Sequence, residues 1–180
     1  MPIEIKAVDT LSEKQKNEIW ELLKAYDREF IPPLSARNSA FKKIPGGDGN
    51  LTINEEGPVV YFNEILNYKF VLALLDGKVV GFMTYIPNHT VEVEGKEPFV
   101  AEYASTAIVS SECRGQGTMK RFYQSIIDEN PGKNVATRTW SGNAAHLNVL
   151  AKHGFELHAT LKDDRGPGID TVYYIRRGNK

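Results

Sequence analysis

The sequence predicts an α/β (α+β) fold, built on a mixed, mostly antiparallel sheet of about seven strands with helices on both faces. Three observations support this prediction. Strand-forming runs separated by turn signals follow one another through the middle of the chain. Segments with apolar residues at helical spacing alternate with strands in the second half, and a hairpin-like pair closes the chain. A meander followed by strand, helix, strand, helix and hairpin forms such a sheet.

The N-terminal part predicts a strand and a capped helix. Residues 3–8 alternate weakly between polar and apolar side chains, which predicts a short first strand. Ser12 and Gln15 have capping-box spacing, and the apolar stripe behind them, as far as Phe30, predicts a helix that ends at Pro32-Pro33. Less regular segments follow: a short helix at 35–43, a flexible loop at 45–50, and a helical turn or two at 61–68.

The strongest strand signals surround a two-residue hairpin turn, Asp76-Gly77. The apolar runs on either side of this turn predict paired antiparallel strands. Another pair of strands is expected around Gly95 and extends the meander. These strands cover residues 70–75, 78–85, 91–94 and 99–109.

The second half of the chain predicts helices between strands. Apolar residues at helical spacing, from Met119 to Ile127, form one face of a helix that ends at Pro131-Gly132. A strand, a helix and a closing hairpin are expected after it, at residues 134–140, 143–153, 157–161 and 171–176.

The run Arg114-Gly-Gln-Gly-Thr-Met119 lies between a strand-forming stretch and this helix. Such a turn points successive backbone N–H groups into one concavity at a helix N-terminus, where the peptide dipoles add roughly +0.5 of a charge. Phosphate oxygens bind well there, and glycine allows their close approach. A tight structural turn is the competing interpretation. A nucleotide P-loop is excluded because Thr118-Met119 follows Gly117, and a dinucleotide fingerprint because its third glycine and its ribose-binding acid are missing.

The composition predicts a single folded domain over residues 1–180. Apolar residues make up 41% and charged residues 25%, and a net charge of −1 gives no general attraction to nucleic acid or anionic membrane. No apolar run approaches the roughly 18 residues of a membrane span, and no secretory signal is evident. The single cysteine, Cys113, favours a reducing cytoplasm, and the scattered histidines offer no metal-ligand spacing.

Two motifs together resemble the GCN5-related N-acetyltransferase (GNAT) family. Arg114-x-x-Gly117-x-Met119 is similar to that family's Arg/Gln-x-x-Gly-x-Gly/Ala signature. The segment from Asn143 to Gly154-Phe155 has the spacing of the family's next helix, which begins at Asn and closes in Gly-Phe. The resemblance covers about residues 70–176.

The resemblance implies that the fourth and fifth strands splay apart and admit acetyl-CoA as cosubstrate. The loop amides would hold its diphosphate, and the pantetheine arm would pair with residues 107–109 like an added strand. Asn143 would contact the arm, act as a helix N-cap, or do both. Lys120 and Arg121 would meet the ribose 3′-phosphate or remain solvated. The implied cofactor-binding residues are Ala107, Ile108, Val109, Arg114, Gly115, Gln116, Gly117, Thr118, Met119, Lys120 and Asn143.

A proton acceptor is also needed, because deprotonating a lysine-like amine near pH 7 costs roughly 4 to 5 kcal/mol. The resemblance implies Glu102 as this general base, since it precedes the loop on the strand where family members often place one. The alternative is that Glu102 pairs with a cation at a strand edge. Looser alternatives for the base are Glu97, Asp163 and Asp164.

Two positions depart from the family pattern. Leu150 stands where many members have a tyrosine that protonates the departing thiolate, and Met119 stands where Gly or Ala is usual. Losing that acid slows the reaction without abolishing it, since a thiol of pKa about 8.5 leaves as thiolate at a cost near 2 kcal/mol. Other tyrosines could substitute, and none is assigned from the sequence: Tyr103, Tyr123 and Tyr173.

The leading hypothesis is an acetyl-CoA-dependent N-acetyltransferase in which a primary amine attacks the thioester directly within a ternary complex. The alternative is a non-catalytic acyl-CoA-binding sensor or regulatory module. The expected partner is a small-molecule or peptide amine acceptor, and no nucleic acid, membrane or metal is expected. Since two-fold dimers are the commonest oligomers, a homodimer is the default expectation for its assembly. The segment Phe30-Ile-Pro-Pro-Leu-Ser35 forms either a rim of the acceptor site or only a helix stop.

Overall fold

The computed structural model describes residues 2–37 and 53–179. These residues form a seven-stranded sheet and four α-helices, and none of the four helices has the length and apolar character to cross a bilayer. In chain order the elements are β1 (Glu4–Val8), α1 (Glu13–Tyr26), α2 (Val59–Ile65), β2 (Lys69–Leu75), β3 (Lys78–Val91), β4 (Phe99–Val109), α3 (Thr118–Glu129), β5 (Val135–Trp140), α4 (Ala144–Lys152), β6 (Glu156–Leu161) and β7 (Thr171–Arg176).

The strands form one sheet in the order β1-β2-β3-β4-β5-β7-β6. Every neighbouring pair is antiparallel except β4 and β5, which run parallel. A parallel pair needs a crossover connection, and the segment containing α3 provides it. The mixed, mostly antiparallel sheet predicted from the sequence is therefore confirmed.

Helices cover both faces of this sheet, because alternate residues of a strand point to opposite sides. In β2, Phe70 and Leu72 belong to the core beneath α1 and α2. Their neighbours Val71 and Ala73 belong to the core beneath α3 and α4. All four side chains are at most 3% exposed, so β2 is buried on both faces.

Helix α1 begins at the predicted capping box, where the side chains of Ser12 and Gln15 bond each other's backbone N–H groups. The helix ends at Tyr26, earlier than the apolar stripe predicts. The chain turns there because both carboxylate oxygens of Asp27 accept hydrogen bonds from Ser35, at 2.6 Å each. This tertiary contact replaces the last predicted turn with a 3-10 turn.

The segments after α1 differ in part from their predictions. At the start of the predicted helix at 35–43, the structure shows a short 3-10 turn, Leu34–Ala36. The rest of that prediction, and the loop predicted at 45–50, lie outside the described residues. The strand predicted in two pieces before Gly95 is one long strand, β3, because bulges in its pairing with β4 let it bend without breaking.

The sheet opens between β4 and β5. These strands pair over three positions only, the last of which joins Ala104 to Thr137. Beyond that position β4 continues to Val109 and β5 continues to Trp140, but the two strands no longer pair with each other. The splay implied by the resemblance is therefore present, and it places the ends of both strands around the candidate site.

Candidate active site

A cavity of about 750 Å³ lies where β4 and β5 separate. The ends of β4 and β5 that no longer pair with each other line it. The lining also includes the start of α3, α4, the segment after α1 and the loop between β6 and β7. The cavity lining includes charged, polar, apolar and glycine positions from these elements: Glu29, Arg37, Ala107, Ile108, Val109, Arg114, Gly115, Gly117, Thr118, Met119, Lys120, Tyr123, Arg138, Asn143, His146 and Arg165.

The predicted phosphate loop, residues 114–119, has a backbone conformation that leaves its N–H groups available to an anion. Gly115 and Gly117 have φ values of 75° and 73°, in the left-handed region that favours glycine. The first turn of α3 has no side-chain cap. Within the described residues, no protein oxygen accepts a hydrogen bond from the backbone N–H groups of residues 115–120. Adjacent free donors at a helix N-terminus bind negative charge.

Other atoms around the loop also fit a phosphate ligand. Thr118 is buried, and its Oγ1 has no hydrogen-bond partner in the part of the chain that the structure describes. A Cβ added at Gly115 or Gly117 would meet no atom within 4 Å, so the space over the loop is open. Lys120 lines the cavity, whereas Gln116 does not. The residues present therefore fit the diphosphate of acetyl-CoA.

The end of β4 offers a free strand edge next to this loop. Residues 107–109 line the cavity, and β3 pairs with one edge of β4 here while β5 no longer pairs with the other. Arg114 Nε donates a hydrogen bond to the Val109 carbonyl at 2.9 Å, and Arg114 Nη2 donates to Glu29 Oε2 at 2.8 Å. These two bonds join the loop to β4 and to the segment after α1.

Asn143 precedes the first residue of α4 and lines the cavity. Its Oδ1 accepts a hydrogen bond from the His146 backbone N–H at 3.4 Å, and its Nδ2 donates to Thr139 Oγ1 at 3.0 Å. The N-cap role is thus present in the structure. The contact with the cofactor arm stays a prediction.

The structure does not bring Glu102 to the cavity. This carboxylate is fully buried on the paired part of β4. Its Oε1 accepts hydrogen bonds from Lys133 Nζ at 3.0 Å and from the Asn88 N–H at 3.2 Å. The arrangement favours the alternative in which Glu102 pairs with a cation, and its role as general base stays a prediction. The looser candidates for the base do not line the cavity either: Glu97, Asp163 and Asp164.

Glu102→Gln is expected to lower stability and to leave kcat unchanged. The substitution removes the charge that faces Lys133 and places an amide where Oε2 has no described hydrogen-bond partner. The expected loss is about 2 kcal/mol, or roughly 4–8 °C in Tm. Thermal unfolding and initial rates check it, with Glu97→Gln at an exposed position as the control. A Glu102→Gln protein with unchanged Tm and a kcat that recovers only at high pH would instead support the general base.

Tyr123 of α3 and His146 of α4 form a polar pair that lines the cavity. The Tyr123 hydroxyl lies 2.7 Å from His146 Nε2. Burial raises the pKa of Tyr123, an effect that Thr137 partly opposes, and burial lowers the pKa of His146 to about 4. At pH 7 the phenol is therefore protonated and the imidazole neutral. Leu150, at the family's usual tyrosine position, is fully buried in the core.

Sequence analysis missed three arginines that line the cavity, Arg37, Arg138 and Arg165. They lie on the segment after α1, on β5 and on the β6–β7 loop. Burial, together with the nearby charges of Arg37 and Arg138, lowers the pKa of Arg165 to about 10. No motif links these positions in the sequence, since only the fold brings them into electrostatic range of one another.

The geometry of the loop and the split agrees with a sequence comparison. A model of the acetyltransferase (GNAT) family matches residues 39–155, which is more than half of the chain. The chain belongs to the GNAT acetyltransferase family. It is therefore an acetyl-CoA-dependent acetyltransferase, as the two motifs predict. No match to this acetyltransferase was found among curated proteins.

Several solved structures share the fold of this acetyltransferase. One is a chain of the NatC complex bound to Gag peptide and CoA, with a TM-score of 0.63, 17% identity, and coverage of 99% of this chain and 100% of that one. A GNAT acetyltransferase from Streptococcus pneumoniae has a TM-score of 0.61, 15% identity, and coverage of 99% and 100%. A phosphinothricin acetyltransferase from Sinorhizobium meliloti in complex with AcCoA has a TM-score of 0.60, 15% identity, and coverage of 99% and 90%. At these identities the similarity establishes the fold alone.

Proposed function

We propose that this acetyltransferase transfers the acetyl group of acetyl-CoA to a primary amine by direct attack in a ternary complex. The observation that carries the proposal is the row of backbone N–H groups at residues 115–120, free of described protein acceptors, beside the split between β4 and β5. A single cleft that holds both reactants lowers the barrier by several kcal/mol through proximity.

When bound, acetyl-CoA supplies an activated acetyl group as a thioester. The amides of residues 115–120, together with Lys120, bind its phosphates in this proposal, and the β4 edge at 107–109 orients its arm. A backbone N–H of β4 in this cleft stabilises the developing oxyanion by about 3 kcal/mol. Asn143 contacts the arm from the start of α4.

The cavity favours a neutral amine, which is the nucleophilic form. Arg37, Arg138 and Arg165 repel an ammonium group and so lower the pKa of an amine bound beside them. Among the described residues, Glu29 is the one carboxylate that lines the cavity, and it is paired with Arg114 at 2.8 Å. Water therefore carries the proton away from the amine in this proposal.

The departing thiolate receives its proton from the Tyr123 hydroxyl, and the resulting phenolate regains a proton from the water that accepted the amine proton. The position of this hydroxyl supports the role, because it lines the cavity and lies close enough to Thr137, at the apex of the split, for Thr137 to affect its pKa. His146 holds the phenol through their 2.7 Å hydrogen bond. The hydroxyl of Tyr123 thus replaces the one missing at Leu150.

The test of the proposed function is binding of CoA at the loop followed by acetyl transfer. CoA at 100 times its Kd should add about 2.7 kcal/mol of stability, or roughly 5–11 °C in Tm. Gly117→Ala is expected to raise the Kd for CoA about 10-fold or more, because its methyl group occupies the space over the loop amides.

Gly77→Ala is the matched control for the loop variant. Gly77 has a φ of 74° and open space around its missing Cβ, as Gly117 does, but it lies in the β2–β3 turn. Both variants should lose about 1 kcal/mol of stability to backbone strain, and only Gly117→Ala should lose CoA affinity. An equal Kd for CoA in both variants would contradict the loop as the phosphate site.

A sensor that binds acyl-CoA without turnover is the second candidate, and the apolar Leu150 at the usual acid position is the observation that favours it. Thiol release from acetyl-CoA with a panel of amines separates the two. Binding of CoA without release on any amine would support the sensor. The cytoplasmic location, the homodimer and the single domain over residues 1–180 stay predictions.

A further inference from the structure

Three positively charged side chains face one end of the cavity and lie outside the predicted phosphate loop. Arg37 follows the 3-10 turn after α1, Arg138 lies on β5 beyond the split, and Arg165 lies on the β6–β7 loop. Each is held by a hydrogen bond rather than left to move in solvent. Arg37 Nε donates to the Pro32 carbonyl at 3.0 Å, and Arg138 Nη1 donates to the Tyr173 hydroxyl at 3.2 Å.

Arg165 is held by two hydrogen bonds. Its Nη1 donates to the Ile31 carbonyl at 2.8 Å, and its Nε donates to Thr171 Oγ1 at 2.9 Å. The segment that includes Ile31 and Pro32 therefore anchors two of the three guanidinium groups through its carbonyls. The segment predicted as either a rim or a helix stop serves here as a wall that orients positive charge.

Within the described residues, the charges of Arg37 and Arg165 are only partly balanced. The hydrogen bonds of Arg37 and Arg165 go to uncharged oxygens, and neither residue makes an ion pair with a described carboxylate. Asp27, whose charge acts on Arg37, has both oxygens occupied by Ser35, and Asp164, whose charge acts on Arg165, accepts a hydrogen bond from the Thr171 hydroxyl. Arg37 Nη2 is buried and has no hydrogen-bond partner among the described residues.

Half-buried cations such as Arg37 and Arg165, whose charge the described residues balance only in part, are costly, and a bound anion removes that cost. Glu29 is the one described carboxylate in the cavity lining. It is paired with Arg114 and so is not available to neutralise these guanidinium groups. Guanidinium groups bind planar and tetrahedral oxyanions through paired N–H donors, which makes carboxylate or phosphonate the matching ligand chemistry.

We propose that the acceptor of this acetyltransferase is a small amine that bears an oxyanion, and that Arg37, Arg138 and Arg165 bind the oxyanion while the amine faces the β4 edge. The proposal rests on the proposed function and narrows its substrate class. An amino acid is the simplest such acceptor, because it carries an amine and a carboxylate within a few bonds of each other. A polyamine or an aminoglycoside-like amine carries amino groups and no oxyanion, so it lacks the group that this cluster would bind.

The test compares amine acceptors that carry an oxyanion with amine acceptors that lack one. The common L-α-amino acids, their carboxamides, 2-aminoethylphosphonate and spermidine are assayed by thiol release from acetyl-CoA. The best carboxylate is expected to exceed its own carboxamide by about 10- to 100-fold in kcat/KM, the range for hydrogen bonds to charged groups. A higher rate with 2-aminoethylphosphonate than with any carboxylate would assign the oxyanion as phosphonate rather than carboxylate.

Arg165→Gln should reduce that preference about 10-fold or more, through KM, and leave the Kd for CoA unchanged. Arg165→Lys should keep part of the preference, because the charge remains while the paired donors are lost. Arg121→Gln is the control, since Arg121 also donates to a backbone carbonyl, that of Ile3, at 2.8 Å but does not line the cavity.

The outcomes separate this inference from the proposed function. Equal rates with carboxylates and carboxamides, or a higher rate with spermidine, would overturn the inference and leave the transferase in place. If no amine is acetylated, the proposed function fails. Thermal unfolding of the CoA-bound protein with and without added amino acid then decides the anion site: a rise in Tm that Arg165→Gln removes supports it, and no rise overturns it.

Discussion

Replacing Tyr123 with phenylalanine is expected to lower kcat about 100-fold at pH 7, the smaller end of the range for general acid catalysis. The phenol lines the cavity beside the split and is held by His146, and no tyrosine occupies position 150 to take its place. Because burial raises the pKa of Tyr123, the phenol stays protonated through pH 10. The wild-type rate should therefore not fall between pH 7 and 10 through loss of this acid. Initial rates across that range, with saturating acetyl-CoA, check both statements.

Tyr85→Phe is the control for this prediction. Tyr85 is a buried tyrosine of the same core that does not line the cavity. It should keep its kcat, and both variants should keep the Kd for CoA. A Tyr123→Phe enzyme with more than half of the wild-type kcat would show that another group, or water, protonates the thiolate. Equal losses in the two variants would show a structural effect.

Truncation of Phe122 to alanine is expected to cost about 3–5 kcal/mol of unfolding free energy. Phe122 is fully buried on α3, in the core between this helix and the sheet, and the loss leaves a cavity that the rigid sheet cannot fill. The equivalent fall in Tm is roughly 6–20 °C. Since the predicted phosphate loop lies at the N-terminus of α3, saturating CoA should restore part of this loss, about 2.7 kcal/mol at 100 times its Kd.

Leu157→Ala provides the comparison for Phe122→Ala. Leu157 lies on β6 and is 55% exposed, so its truncation should change stability by no more than about 0.5 kcal/mol. Urea unfolding of both variants, with and without CoA, measures the difference. A loss below about 1 kcal/mol for Phe122→Ala would mean that α3 does not depend on this contact with the sheet.

The sequence alone predicted those parts of the structure that depend on residues close together in the chain. The Asp76-Gly77 turn, the capping box at Ser12 and the glycine loop before α3 all lie within a few residues, so local backbone preferences determine them. The family also follows from such local motifs, because the glycine loop and the Asn143 segment each lie within a short stretch of the chain. The order of strands and helices followed from the same signals.

Only the tertiary structure determined which charged and polar side chains meet in the cavity. Glu102 precedes the loop on β4, yet its partner Lys133 lies beyond α3, and this pairing holds it away from the split. Arg165 reaches the Ile31 carbonyl from the far end of the chain. Contacts of this kind depend on how the sheet and its loops come together in space, and periodicity along the chain carries no information about them. The sequence therefore predicted the glycine loop and the two strands that separate beside it, while the arginine cluster in the cavity emerged only from the packed fold.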